Sequence, residues 1–303
     1  MTKKEKVVSV SKKLEVKPLI GFIGQGFVGK AYADDFEKRG FKTVRYALEE
    51  PYRNNKDGIK NCDIVFIAVP TPTTEGKFDD HIIREAVRLV GEGKIAVIKS
   101  TILPGITESI RRENPKVFVM HSPEFLREVT AEKDAANPER NIIGIPERSK
   151  IYESKAQDVL AVLPKAPYVL VTGAKEAELI KYGGNCFFYF KVIFANLLYD
   201  LAESRGIDWA TVRDAVSADS RIGKSHLEPV HKNGRGAGGH CFIKDFAAFA
   251  SLYDEAVSND YGRSVLNSLR DENIELLLKS GKDLDLLRGV YGEVFLEKFK
   301  DKK

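Results

Sequence analysis

Leu19-Ile-Gly-Phe-Ile-Gly24-Gln-Gly26-Phe-Val-Gly29 is the stretch that decides the fold. A short apolar run, Leu19–Ile23, reads as a strand, and the amphipathic stretch Val28–Arg39 reads as a helix. Three glycines join them. The first permits a tight turn, the second lets backbone approach a pyrophosphate, and the third allows close helix–strand packing. The helix N-terminus then stabilises phosphate charge. Such a pattern is common by itself. Between a strand and a helix at the head of a βαβ unit it points to a dinucleotide.

Working outward, short apolar runs at Thr43–Tyr46, Ile64–Ala68, Ile95–Lys99, Val117–Met120 and Ile142–Ile145 predict further strands. Helical stretches at Asp79–Val90 and Ile106–Arg112 lie between them, and Ile151–Leu163 with Tyr168–Val171 predicts a last helix and strand. This alternation implies a doubly wound parallel sheet, an α/β architecture of Rossmann type. After Thr172 the pattern becomes helical. One long helix is expected over 174–204, with others starting at Trp209, Asp245 and Tyr261. The expected division is a basic tail at 1–18, a dinucleotide-binding domain at 19–173 and a helical domain at 174–303. The helix at 174–204 is apolar around most of its circumference, so it needs cover on most faces. A second copy of the chain is the expected source.

The bulk composition excludes several classes. Of 303 residues, 43% are hydrophobic and 30% charged, as in an ordinary globular protein. The net charge of +4 owes much to six lysines in the first 17 residues, read as a solvated tail rather than a nucleic-acid site. No hydrophobic signal core follows that tail, and the most apolar run, Cys186–Leu198, is too short and polar to span a bilayer. A cytoplasmic location is expected. Three widely spaced cysteines, Cys62, Cys186 and Cys241, fit neither a disulfide framework nor a zinc site, and no metal is expected.

Cys241 stands apart from the other two. It follows Gly238-Gly-His and is followed by Phe-Ile-Lys244-Asp245, a polar, glycine-rich setting that leaves a sulfur accessible beside a cation. Cys186 lies in an apolar helix and Cys62 beside a strand, and both read as core fillers. Lys181 and Asn185 are four residues apart on the long helix and share a face. Gly183 and Gly184 between them suggest close approach by another backbone or by a ligand. Ser122-Pro-Glu124-Phe-Leu-Arg-Glu128 follows a strand end, where ligands collect in open parallel sheets. One expected element is missing. The second strand, Thr43-Val-Arg45-Tyr46-Ala47, has no acid for the adenosine ribose, and with Arg45 and Arg53 nearby a loose discrimination against NADP is expected.

Together these segments resemble the UDP-glucose/GDP-mannose dehydrogenase family over roughly residues 19–280. The resemblance rests on Gly-Phe-Ile-Gly-Gln-Gly-Phe-Val-Gly (21–29), Val-Pro-Thr-Pro-Thr (69–73), Lys-Ser-Thr (99–101) and Ser-Pro-Glu-Phe-Leu-Arg-Glu (122–128). It continues through Ala-Glu-Leu-Ile-Lys-Tyr-Gly-Gly-Asn (177–185), Asp-Ser-Arg-Ile-Gly (219–223) and Gly-Gly-His-Cys-Phe-Ile-Lys-Asp (238–245). It implies NAD-dependent, four-electron oxidation of a nucleotide sugar through a Cys241 thioester. Lys181 and Asn185 would stabilise an oxyanion, Asp245 and Thr101 would hold water, Glu124 would assist proton transfer, and Glu128 would lie near the nicotinamide. The implied cofactor set is Gly24, Gln25, Gly26, Phe27, Val28, Gly29, Val69, Pro70, Thr71, Thr101, Glu128 and Lys244. The implied substrate set is Glu124, Phe125, Leu126, Arg127, Lys181, Asn185, Arg221 and Gly238, with Arg221 reaching a neighbouring subunit of a homodimer built on the long helix.

There are departures from the family pattern. Ile243 stands where the family usually has Pro, Ala237 where an aromatic is common, and Lys224–Arg235 is long and charged. The family's third domain, which closes over the nucleotide, finds no room before the chain ends, so a smaller or differently held substrate is expected. Two other readings stay open: a two-electron hydroxyacid dehydrogenase, which needs no cysteine, and a cofactor-binding scaffold without turnover.

Overall fold

A computed structural model describes residues 17–299. The predicted basic tail therefore lies, apart from Lys17 and Pro18, outside the described residues. The strands are β1 (Ile20–Ile23), β2 (Thr43–Tyr46), β3 (Ile64–Ile67), β4 (Thr73–Thr74), β5 (Lys77–Phe78), β6 (Ile95–Ile98), β7 (Phe118–His121), β8 (Arg140–Ile145), β9 (Tyr168–Gly173), β10 (Val230–His231) and β11 (Gly234–Arg235). The helices are α1 (Phe27–Lys38), α2 (His81–Val87), α3 (Ile106–Glu113), α4 (Ala131–Ala136), α5 (Lys150–Val162), α6 (Ala174–Ser204), α7 (Trp209–Ser217), α8 (Gly239–Ala256), α9 (Asp260–Ser280), α10 (Leu284–Tyr291) and α11 (Glu293–Glu297).

Seven strands form one sheet in the order β2-β1-β3-β6-β7-β8-β9. The order reverses at β1, whose neighbours are β2 and β3, and the glycine loop leaves the sheet there. That is the crevice where open α/β sheets take ligands. Every residue of β1, β3 and β6 is buried, as expected for strands covered on both faces. Phe22 stacks on Phe66 at 5.6 Å and meets Phe36 edge-on at 5.4 Å, so aromatic packing ties β1 and β3 to α1.

The sequence pattern does not reveal one feature of the sheet. β8 runs antiparallel to β7, joined through His121 and Gly144, and β9 pairs parallel with β8 from Arg140/Tyr168 to Ile145/Gly173. The sheet is thus a parallel set of five strands continued by a parallel pair of opposite direction. Apolar periodicity reports which residues are buried and is blind to strand direction.

By internal contacts the chain divides into two units: the residues through Thr71 with Asp80–Lys181, and Pro72–Asp79 with the residues from Tyr182 onward. The first carries the sheet and the opening turns of α6. Those turns lie against β8 so closely that a Cβ on Gly144 would stand 2.6 Å from the Ala177 Cβ and 2.9 Å from the Ala174 Cα. The change of pattern at residue 173 marks where α6 begins, whereas the two units part further along that helix.

Among its described residues the second unit is helical apart from two hairpins. Ile243 and Ala247 of α8 pack with Ile274 and Leu277 of α9 and with Leu287 and Val290 of α10. Phe246 stacks on Tyr189 with ring centroids 3.9 Å apart. The β4–β5 hairpin belongs here, with the Gly76 N–H donating to the Val290 carbonyl at 3.2 Å. The helix expected from Asp245 in fact begins at Gly239, which places Cys241 in a helical first turn and not in a glycine loop. Carboxylate contact explains the earlier start, since the Gly239 N–H donates to Asp283 Oδ2 at 2.7 Å. No helix among the described residues is long and apolar enough to cross a membrane.

Candidate active site

In the first unit the glycine loop has the steric form its sequence demands. Gly24 has a φ of +89°, and a Cβ there would lie 2.2 Å from the Ala68 carbonyl oxygen. A Cβ on Gly29 would lie 1.9 Å from the Gly24 carbonyl oxygen. Neither position tolerates a side chain. Gly26, the N-cap of α1, is different: a Cβ there would meet nothing within 4 Å, and no side chain caps the helix. Beside it, the Gln25 amide donates to the Gly24 carbonyl at 3.1 Å while its own buried oxygen finds no partner. An open helix N-terminus with an unsatisfied acceptor fits a dinucleotide, which brings both phosphate oxygens and hydroxyl donors. Phe27, Lys30 and Ala31 on α1 face Glu128, Thr130 and Lys133 across a cleft of about 480 Å³. Val28 packs against the core.

The strand ends after β3 and β6 are tied together. The Ser100 hydroxyl donates to the Val69 carbonyl at 2.7 Å and accepts from its N–H at 3.0 Å, fixing Val69-Pro70-Thr71 beside the half-buried Thr101. Beneath this strap Lys99, only 4% exposed, pairs with Glu124 at 3.0 Å and donates to the Ser122 hydroxyl at 3.3 Å. Its ammonium stands 4.5 Å from the Tyr32 ring. The other Glu124 oxygen accepts from the Phe125 and Leu126 N–H groups at 2.6 and 2.9 Å. Glu124 is therefore a clamped, buried carboxylate, whereas Glu128 is exposed. Burial first, then the charges of Lys99 and Lys181, depresses the His121 pKa to about 3, so its imidazole is neutral.

Phe125 lies under two cations, with the Arg140 guanidinium 3.6 Å and the Lys181 ammonium 5.6 Å from its ring centroid. Leu126 packs into the core. Arg127 is turned to Asp134 with two hydrogen bonds of 2.7 and 3.0 Å. The structure also changes the reading of Arg45. Its guanidinium is held by Asp34 at 2.7 Å and Glu37 at 2.6 Å, both on α1, so its charge is already answered within the chain. The basis for loose discrimination against NADP is correspondingly reduced.

In the second unit Cys241 is exposed in the first turn of α8. The other two thiols are buried. Burial pushes Cys62 up to about 11 and Cys186 higher still, which suits inert fillers. Asp245, one turn beyond Cys241, is 1% exposed and accepts from the Asn185 amide at 2.6 Å and from Lys244 at 2.5 Å. Asn185, Lys244 and Asp245 thus form one hydrogen-bonded group. A Cβ on Gly238 would lie 2.0 Å from Asp283 Oδ2, so a side chain there would displace the carboxylate that holds the Gly239 N–H. Arg221 is exposed and paired with Asp219 at 2.6 Å. A Cβ on Gly183 or Gly184 would meet nothing within 4 Å, so among the described residues no backbone makes the close approach expected there.

Two stretches of the chain match two domains of a single family: residues 50–161 its NAD-binding domain and residues 175–274 its central domain. The chain belongs to the UDP-glucose/GDP-mannose dehydrogenase family. The family's central-domain match contains Lys181, Asn185, Cys241 and Asp245, and its NAD-binding match contains Thr101, Glu124 and Glu128. A UDP-glucose 6-dehydrogenase of Haloferax volcanii is 29% identical, over 89% of this chain and 72% of its own length. A UDP-glucose 6-dehydrogenase of Rickettsia typhi is 31% identical, over 85% of this chain and 60% of its own length. Among solved structures, a UDP-glucose dehydrogenase from Pyrobaculum islandicum superposes with a TM-score of 0.74 at 28% identity, covering 88% of this chain and 71% of that one. The chain thus spans between half and about 70% of the length of such relatives.

Reading the family motifs alone misses several residues that organise the site. Lys99 lies within the quoted Lys-Ser-Thr and Glu178 within Ala-Glu-Leu, yet neither spacing nor residue type assigns them a partner. Arg140, Asn273 and Asp283 carry no local signal. Asn273 holds the backbone of Ala237 at both its N–H (2.6 Å) and its carbonyl (3.1 Å), and that is a purely tertiary fact.

Proposed function

We propose that this chain oxidises the C6 alcohol of a nucleotide sugar, of the UDP-glucose class, to the carboxylic acid with NAD, through a thioester on Cys241. The observation that carries this reading is the exposed Cys241 one turn before a buried Asp245 already bonded to Asn185 and Lys244. A hydroxyacid dehydrogenase needs no such thiol.

NAD, when bound, accepts a hydride from carbon in each of two oxidations. The glycine loop and the N-terminus of α1 would hold its phosphates, with Val69–Thr71 and Glu128 beside the rest. The alcohol proton leaves as the carbon becomes an aldehyde. The Cys241 sulfur then adds to that carbon, and the adduct loses its second hydride to give the thioester. Attack by water breaks the carbon–sulfur bond, releasing the acid and the thiol. A side chain in the first turn of a helix sits at the positive end of the helix dipole, which favours an anionic sulfur. Lys181 and the Asn185 amide would stabilise the oxyanions of both additions. Asp245 would orient the water, with Thr101 holding another, and the clamped Glu124 would assist proton transfer in hydrolysis. Phe125, Leu126, Arg127, Arg221 and Gly238 are retained as substrate contacts on the family resemblance.

A second copy of the chain is the proposed partner. Phe187, Phe194 and Leu201, spaced by sevens along α6, are more than half exposed, a row suited to burial against another helix. Light scattering of the purified chain checks this, and a monomer would refute it. Cys62, Cys186 and Cys241 stand outside any disulfide, which suits a reducing compartment, and the cytoplasm is proposed on that ground.

The deciding assay counts NADH formed per sugar consumed with a panel of nucleotide sugars. Two per sugar supports the reading, and one per substrate supports the two-electron alternative. Cys241→Ser should abolish release of acid. Continued acid production by that variant would sink the thioester.

A further inference from the structure

Helix α3 begins without a cap of its own. Its N-cap is Gly105 with a φ of +101°, preceded by Pro104, and no residue of that turn offers a side chain to the first N–H groups. The cap comes instead from Glu178 on α6. One of its oxygens accepts from the Gly105 N–H at 2.6 Å. The other accepts from the Thr107 N–H at 2.9 Å and from the Thr107 hydroxyl at 2.6 Å. Both Glu178 and Thr107 are fully buried. A second tie lies outside it, where Lys175 pairs with Glu108 at 2.9 Å.

A Ser or Thr at the start of α3 would satisfy the same N–H groups locally, without burying a charge. A carboxylate delivered from 71 residues away does something a local cap does not, which is to fix two segments against each other. Those segments matter. The loop that Glu178 holds begins at Thr101, and Lys181 stands one helical turn beyond Glu178 on a neighbouring part of the same face. The tight contact of Gly144 with Ala174 and Ala177 stops the turn from sliding along β8. From this arrangement we infer that Glu178 is a positioning residue that sets Lys181 in register with the Thr101 loop. The inference rests on the roles proposed above for Lys181 and Thr101.

The experiment compares the full-length wild type with Glu178→Gln and Glu178→Ala. It measures kcat and KM with NAD and UDP-glucose, NADH affinity by fluorescence, and the labelling rate of Lys181 by an amine-reactive ester, read by peptide mass. A misplacement of about 1 Å near the chemistry costs up to roughly 100-fold, so we expect kcat to fall about 10- to 100-fold in Glu178→Ala. Glu178→Gln keeps one acceptor oxygen and should recover part of that loss. NADH affinity and the KM for NAD should stay unchanged, and Lys181 labelling should shift in the same order as kcat. Unchanged kcat and unchanged labelling in both variants would overturn the inference. So would equal losses in both variants accompanied by loss of NADH binding, which would mark a general structural role. If the wild type turns over no nucleotide sugar, the functional reading fails. Lys181 labelling then decides the clasp alone, and unchanged labelling would overturn it.

Discussion

The N-termini of α1 and α3 start from the same sequence signal and end in opposite states. Each follows a strand of the parallel set and opens on a glycine. At α1 the glycine faces open space, and no side chain caps the helix. At α3 a buried carboxylate from another helix takes up the first N–H groups and the hydroxyl of Thr107. A helix start has unsatisfied donors in either case. The difference is whether the chain itself satisfies them or leaves them for a ligand. The open start is the proposed cofactor site, and the closed one holds the loop that carries Thr101, the proposed water-binding residue.

The sharpest way to break this comparison is at the glycines of α1 themselves. Gly29→Ala places a Cβ against the Gly24 carbonyl, and overpacking of that kind costs about 3 kcal/mol, with NADH binding lost as the loop shifts. Urea denaturation and NADH fluorescence check it, and a variant as stable as the wild type would refute the steric reading. Next comes the clasp. Glu178→Ala leaves the buried N–H and hydroxyl of Thr107 and the part-buried N–H of Gly105 without their acceptor, at about 2 kcal/mol of stability, measured by the same denaturation. Gly26→Ala should behave in the opposite way: stability within roughly 0.5 kcal/mol of wild type, since the Cβ meets nothing, but NADH affinity weaker by about tenfold. If Gly26→Ala were to lose stability and keep affinity, the site would not be where we place it.

The last effect is a pH dependence of stability, spread over several pH units, in the unit that carries the clasp. The His121 pKa is depressed to about 3, below the ordinary 6.5, by burial and by the neighbouring lysine charges. Between those values the unfolded chain binds more protons than the folded one. Stability should therefore fall as pH drops below about 6.5, by at most about 1.4 kcal/mol per pH unit for this group. Burial raises the pKa of Glu178, which has the opposite sign, since its protonation in the folded state favours folding as pH drops. Replacing His121 with Leu should flatten the acid limb and leave the Glu178 contribution. An unchanged limb would assign the acid loss to other groups.

Much of the site was legible because its code is local. Gly24 and Gly29 are required by contacts within a few residues of themselves or with the adjacent strand, and strand burial follows directly from unbroken apolar runs. Cys241 was legible as an exposed thiol, but its helical setting was not. The glycines before it suggested a loop, whereas Asp283 captures the Gly239 N–H and starts α8 there. Arg45 looked free to meet a phosphate until Asp34 and Glu37 were found holding it. The opposite direction of β8 and β9 left no trace in periodicity, because burial alternates alike in both directions.

The sequence by itself determined where strands and helices form, where the glycine loop sits and which thiol is exposed, since each depends on backbone sterics or apolar patterning over a few residues. Tertiary structure alone decided which helix start stays open, which carboxylates are spent on ion pairs and which segments share a register. Those outcomes depend on charges and donors brought together across long stretches of chain, and residue type fixes how strongly such groups attract without fixing which of them meet.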